Sequence, residues 1–475
     1  MTDIEELSTD SQEQQADNIE VEASNQSKID VDGTPMNLPE DGQNKKTETD
    51  EDGNPHVEEE DLDDENPHKS KFDEPGRVRR FTTVLNLLNS LLGAGILGVP
   101  YAMKYIGLIP SVILLALIGV LSDVATVLTV KLQARTGASG LDDLAYKTFG
   151  RAGSIILSIL SMLFLYSAEI SYLIIGSDSI MSWLRLAGLD IRSGWKRAVT
   201  LLLFWICIPG ALTIPKDIKF ISYTSYANFV CIGWFLLVMI IKACVVFPKH
   251  GVAKLTYATF GFGFFSAVAM YGLAFSLPVV VLPIISSYNK DLKKRSIVSA
   301  AASIACFLIV AIPAVIGYLM FGDNIQTIIL NSFEDNDVLI TITRATFLVV
   351  VCCSYPCVAQ SIKGSWGQLL FGQNDATKID GWRRVALFFI FNSIAVIIAI
   401  FLPNAGPVLA IGGALGGTLV DFVYPPTMWV KISKKKWYHW QNILCLLLTL
   451  FGLVATAIST YLAVVDAIAF LKRSK

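Results

Sequence analysis

The sequence predicts an all-α integral membrane protein, with about eleven transmembrane helices following an acidic tail. Three observations carry this reading. Hydrophobic residues make up 53% of the 475-residue chain and charged residues only 17%, too few polar side chains to cover a soluble surface of this size. The charge is segregated, with 25 of the 41 acidic residues inside residues 1–75 and 33 bases against 16 acids in the remaining 400. From residue 81 onward, apolar runs of about 20 residues, the length that crosses a hydrocarbon core as helix, follow one another almost to the C-terminus.

Residues 1–75 are rich in Asp, Glu, Asn, Gln and Ser and nearly free of aromatic residues, so they cannot bury enough apolar surface to fold. They are expected to be a disordered acidic tail, leaving residues 76–475 as the transmembrane domain. No basic-then-apolar segment opens the chain, so no signal peptide is expected and the tail should stay in the cytosol. There it offers an acidic surface to a cytosolic partner. All eight cysteines fall within apolar segments and imply no disulfide framework.

The expected spans are 81–105, 108–130, 153–184, 197–214, 221–247, 256–288, 297–321, 338–362, 384–402, 404–430 and 441–470. The third and sixth exceed one bilayer crossing and should tilt, bend or protrude. Between spans 2 and 3, Leu141, Leu144, Ala145 and Phe149 recur at helical spacing and predict a short amphipathic helix. Lys and Arg flank alternate ends of the spans 23 times against 11, which predicts a cytosolic N-terminus; the odd span count then puts the C-terminus on the far side. The loop carrying Arg185, Arg192, Lys196 and Arg197 runs against that trend. Lys434, Lys435 and Lys436, followed by Trp437, Tyr438 and Trp440, read as an interfacial anchor on anionic lipid and not as a nucleic-acid signature.

Helix-breaking residues are the most informative feature. Span 1 reads Leu-Gly-Ala-Gly-Ile-Leu-Gly-Val-Pro over Leu92–Pro100, and span 6 carries Ser276, Pro278 and Pro283. Such breaks free backbone groups that lipid cannot satisfy, so they must be buried in protein or line a wet cavity. Spans 1 and 6 open the two halves of a five-plus-five arrangement, so the breaks occupy corresponding positions, the best sequence pointer to a transporter binding site. A half-helix starting at a break offers N–H groups to a carboxylate, and one ending there offers carbonyls to an ammonium or a cation. A zwitterionic amino acid matches both.

The stretch Asn86–Met103, and further Leu144-Ala145, Phe149-Gly150, Tyr172–Gly176 and Leu282-Pro283-Ile284, resembles the amino acid/auxin permease family, especially its sodium-coupled neutral amino acid transporter branch. The resemblance covers residues 80 to about 470. It implies a LeuT-like inverted-repeat fold of eleven helices carrying neutral amino acids with sodium or protons, and no bound cofactor. It also implies that substrate lies against Gly93, Ala94, Gly95 and Ile96, facing Phe275 and Ser276. Asn89 matches the asparagine of the family's sodium site, which would be completed by hydroxyls before Pro356, where this chain has Cys352, Cys353 and Ser354. Cys352 stands where sodium-coupled members are expected to carry a threonine, and a thiol is a poor ligand for a hard cation. Pro278 stands where related sequences often place histidine.

An acid at membrane depth is expensive and marks function by default. Glu169 in span 3 is the outstanding one, a candidate carrier of the coupled proton or counter-charge to a cationic substrate. Asp123, Asp178, Asp421 and Arg344 read as structural, with Glu334, Asp335 or Asp337 as partners for Arg344. An intramembrane enzyme would need clustered acids, histidines or a metal set, and all four histidines lie in the tail or near loops. A channel is disfavoured by broken helices around a midplane site. The remaining alternative is an amino-acid sensor on a transporter scaffold, in a vacuolar, lysosomal or plasma membrane.

Overall fold

The computed structural model describes residues 78–93, 95–189, 194–213, 221–371, 382–402 and 404–473, so the acidic tail lies outside the described residues. The described chain is helical throughout. Helices α1 (Arg80–Leu91) and α2 (Gly95–Ala102) meet at a 59° bend. They are followed by α3 (Leu108–Thr136), α4 (Leu141–Leu186), α5 (Gly194–Trp205), α6 (Ile221–His250), α7 (Gly263–Phe275) and α8 (Val281–Ser286). The remainder comprises α9 (Leu292–Phe321), α10 (Val338–Phe371), α11 (Trp382–Phe401), α12 (Ala405–Gly412), α13 (Tyr424–Ile432) and α14 (Trp440–Arg473). Among the described residues, eight helical segments are long and apolar enough to cross a membrane, or nine if the α1–α2 pair is one span; α7 and the Phe389–Phe401 part of α11 are shorter apolar stretches.

Both expected breaks are present. The long sixth run is divided into α7 and α8, with Ser276–Val280 between them. The long third run begins as the amphipathic helix expected around Leu144. Leu141, Leu144 and Ala145 are buried and Phe149 is half-buried, and the axis kinks at Gly150 before entering the membrane helix. At φ 75° and ψ −167° that residue has a conformation closed to side chains other than hydrogen, so the kink requires glycine. Two further irregularities were not anticipated. α5 widens into a π-helical turn at Ile206–Gly210 around Pro209, which lacks the N–H to continue the ladder, and then runs on to Thr213. α12 continues as a π-helical stretch over Gly413–Val420.

Side-chain distribution separates interior from lipid-facing elements. On α3, Ile109, Ile113, Leu117, Val120 and Val124 recur at helical spacing and are exposed, while Leu114, Leu115, Ile118 and Ser122 on the other face are buried. Leu444, Leu447, Leu450 and Leu453 expose a similar apolar stripe on α14. α2 and α7 are apolar all round and buried almost throughout, as interior helices must be. α7 packs against α2 and the Gly413–Val420 stretch; around them α4 packs along α10 and α3 along α9. Polar caps close helix starts outside the apolar zone: Asp291 accepts from the Lys293 N–H at 2.9 Å, and Asn404 from the Gly406 N–H at 3.0 Å.

Candidate functional site

The break between α1 and α2 is a short bend. The Leu92 N–H donates to the Leu88 carbonyl at 2.7 Å and the Gly93 N–H to the Leu91 carbonyl at 2.9 Å, so α1 spends its last carbonyls locally. α2 then starts afresh at Gly95, with the first-turn N–H groups that any helix start leaves without intrahelical partners. At the second break neighbouring spans supply the missing partners. The Phe275 carbonyl accepts from Ser122 Oγ and, at 2.6 Å, from the Leu277 N–H. The Ala274 carbonyl takes Cys306 Sγ at 3.6 Å. Backbone freed in the membrane interior is thereby satisfied inside the protein.

A cavity of about 190 Å³ lies beside the first break. Asn89, Gly93 and Gly95 line it from the broken helix, Ala168 and Tyr172 from α4, Leu273 and Val280 from the second break, and Ser354, Cys357 and Ser361 from one face of α10. Ser90 and Ser361 at its rim are exposed, so it opens toward the side where α1 begins. No Asp, Glu, Lys, Arg or His is among the lining residues, and Phe164, Leu165, Val358 and Leu409 make much of its wall apolar. Gly93 is required here: a Cβ built on it would collide with the Tyr172 hydroxyl.

Thus Asn89, Gly93, Gly95 and Ser354, four of the residues singled out in sequence, share one cavity. Ala94 lies outside the described residues. Ile96 is 1% exposed and belongs to the packed interior. Phe275 packs on Gly119 of α3, and Ser276 donates to Asp421 Oδ1 at 3.2 Å, so neither lines the cavity. Glu169 is one position past the lining Ala168, which turns it toward α10. It is fully buried, neither carboxyl oxygen has a hydrogen-bond partner among the described residues, and the Tyr355 hydroxyl faces it. That hydroxyl accepts from Trp205 Nε1 at 2.9 Å.

Two residues missed in sequence complete the polar part of the site. Asn228 of α6 donates through Nδ2 to Asn89 Oδ1 at 2.7 Å and to Ser354 Oγ at 3.0 Å, and Asn89 Nδ2 donates to Ser225 Oγ at 3.2 Å. An amide inside an apolar run was the available signal.

The other buried charges are held structurally. Asp123 accepts from Ser299 and Ser303 at 2.9 and 3.2 Å. Asp178 accepts from Asn331 at 2.9 Å and faces Arg197 at 3.7 Å. At the end of α4 and the start of α10, Asp335 receives Arg185 at 2.7 and 3.0 Å, Ser182 at 2.7 Å and Arg344 at 3.0 Å, while Asp337 pairs with Lys242. Arg185 hydrogen bonding, ahead of Ser182 and the Arg344 charge, holds the Asp335 carboxyl well below the usual carboxylate range. Among the described residues no three His, Cys, Asp or Glu side chains gather as metal ligands.

Residues 78–465 match the family model described as "Transmembrane amino acid transporter protein". The chain belongs to this family. The transporter is 24% identical over 404 residues to a Bos taurus protein named "Putative sodium-coupled neutral amino acid transporter 11", covering 84% of this chain and 85% of that one. Its fold is similar to the crystal structure of MhsT in complex with L-phenylalanine, with TM-score 0.53 at 13% identity over 82% of this chain and 99% of that chain. The transporter therefore has a LeuT-like all-α membrane fold, moves amino acids by secondary-active transport and is not an enzyme.

Proposed function

We propose that this transporter carries neutral amino acids by alternating access, coupled to protons. The observation that carries the proposal is the cavity beside the two helix breaks, with no charged side chain among its lining residues. The substrate's carboxylate and ammonium would be met by backbone at the breaks, with Gly93 and Gly95 on one side of the cavity and Leu273 and Val280, which flank the second break, on the other. A charged side chain on the substrate would enter the apolar wall without a partner, which costs several kcal/mol at low dielectric. Neutral substrates follow.

Glu169 would carry the coupled proton. A carboxylic acid fully buried at membrane depth, with only the Tyr355 hydroxyl facing it, is tolerated neutral and costly charged, so gain and loss of its proton require the packing of α4 on α10 to open. Asn89 and Ser354 would hold a sodium ion instead if sodium is the coupling ion. Counting α7–α8 and α11 as spans gives eleven in a five-plus-five inverted repeat, with the N-terminus cytosolic as the basic loops suggest. The membrane is a vacuolar, lysosomal or plasma membrane. The acidic tail would bind a cytosolic partner; deletion of residues 1–75 should then change location or regulation while leaving uptake by the purified transporter intact.

The test is uptake of labelled alanine, leucine and phenylalanine into proteoliposomes, with unlabelled lysine and glutamate as competitors. Saturable uptake that neutral amino acids inhibit and charged ones do not is the expected outcome. Inhibition by lysine or glutamate as strong as by leucine would overturn the neutral reading.

A further inference from the structure

Asn89 Oδ1 on α1 and Ser354 Oγ on α10 converge on a single point, and that point is occupied by an atom of the protein. Asn228 Nδ2 on α6 lies 2.7 Å from the first oxygen and 3.0 Å from the second. An amide nitrogen carries two hydrogens, and one is directed at each oxygen. Asn228 is 1% exposed, while its two acceptors, Asn89 and Ser354, line the cavity. All four side chains of the network, Asn89, Ser225, Asn228 and Ser354, are neutral. Hard cations seek oxygen ligands. Here Asn89 Oδ1 and Ser354 Oγ are already satisfied by a neutral donor that also fastens the broken α1 to α6 and α10, while Asn228 Oδ1 is buried with no hydrogen-bond partner among the described residues.

We infer that the Asn228 amide is a built-in substitute for a coupling cation: it fills the space between Asn89 and Ser354 that sodium would need, and so makes the transporter indifferent to sodium. The inference rests on the transporter reading and deepens it, by assigning to α6 a residue that specifies the coupling ion. It also makes that specificity a property of one side chain. Replacing the amide NH₂ by a carboxylate oxygen converts a donor at this point into a charged acceptor. Loss of the two N–H donors then leaves a charged acceptor beside Asn89 Oδ1 and Ser354 Oγ, three oxygens that a sodium ion can share once the carboxylate draws back to admit it.

The experiment compares thermal unfolding of the purified full-length transporter in sodium chloride and in choline chloride at equal concentration, without amino acid, for the wild type and for Asn228→Asp. Wild type should unfold at the same temperature in both salts. Asn228→Asp should unfold at a higher temperature in sodium, saturably, because an ion bound only by the folded state stabilises it. In proteoliposomes the same variant should show uptake about tenfold faster in sodium than in choline, within the usual range of coupling between sites. Asn228→Ser, which adds a neutral oxygen, should show a smaller shift of the same sign and serves if the aspartate variant does not fold. A saturable rise for the wild type in sodium, or no salt difference for a folded Asn228→Asp, would overturn the inference. Because the unfolding measurement needs no substrate, its result stands apart from any failure to transport amino acids.

Discussion

Gly93 and Tyr172 face one another across the first break, and the space between them has no room for a methyl group. Gly93→Ala must push either the tyrosine or α1 aside, and a displacement of that size at a binding site costs about tenfold to a hundredfold in rate. We expect uptake by Gly93→Ala to fall by about that factor, with part recovered in Gly93→Ala/Tyr172→Phe, where the colliding hydroxyl is gone; kinetics of both variants check it. Much of this site was legible as residues. Glycines at membrane depth, an asparagine one turn before them and a serine before Pro356 all stand out against an apolar background. Asn228 was not legible in the same way. Its partners lie 139 and 126 positions away, so only the folding of α6 against α1 and α10 gives the amide its role. The same holds for the orientation of Glu169, where one helical position decides between the cavity and the α10 interface.

Among the elements, the end of α4 and the start of α10 are joined by Asp335, which receives Arg185, Ser182 and Arg344 together. Arg344 is 2% exposed, so removal of its counter-charge leaves a cation in low dielectric. Asp335→Asn should lower the unfolding free energy by about 2–4 kcal/mol, the lower part of the range for breaking a buried pair because the carboxyl itself is partly exposed. Thermal unfolding in detergent measures this. The sign with pH follows from the direction of the shift. A carboxyl depressed in the folded state contributes stability above its unfolded pKa and loses it as pH falls through the folded value. The clamp therefore persists at mildly acidic pH, and the difference between wild type and Asp335→Asn should close only below the normal carboxylate range. The two helix breaks were readable because glycine and proline announce them. The π-helical stretch at Gly413–Val420 was not, because its glycines fit a close-packed helix equally well and only packing against α7 distinguishes the two.

At the scale of the whole molecule, the cavity is open on the side where α1 begins, while the Asp335 cluster ties α4 to α10 at their opposite end, beside a separate polar cavity of about 380 Å³. An alternating-access transporter held in this state should admit a polar thiol reagent to Cys357 from the first side only. With the other cysteines replaced, labelling of Cys357 should be rapid from that side and slowed by a transported amino acid. Equal labelling from both sides would contradict one-sided access to the site. Composition alone made the membrane class readable, because a chain this poor in charge can be solvated only by lipid. Span number is harder to read, since the sixth run is interrupted between α7 and α8 and neither piece alone is long enough to cross.

The central claim is proton-coupled amino-acid transport, and concentrative uptake tests it most directly. Proteoliposomes holding the purified transporter would be given labelled neutral amino acid in sodium-free buffer under an imposed pH gradient, with wild type and Glu169→Gln compared. The account predicts transient accumulation above equilibrium by the wild type, and equilibrating exchange without accumulation by Glu169→Gln. Accumulation that appears only when a sodium gradient replaces the proton gradient, or that survives unchanged in Glu169→Gln, would contradict it.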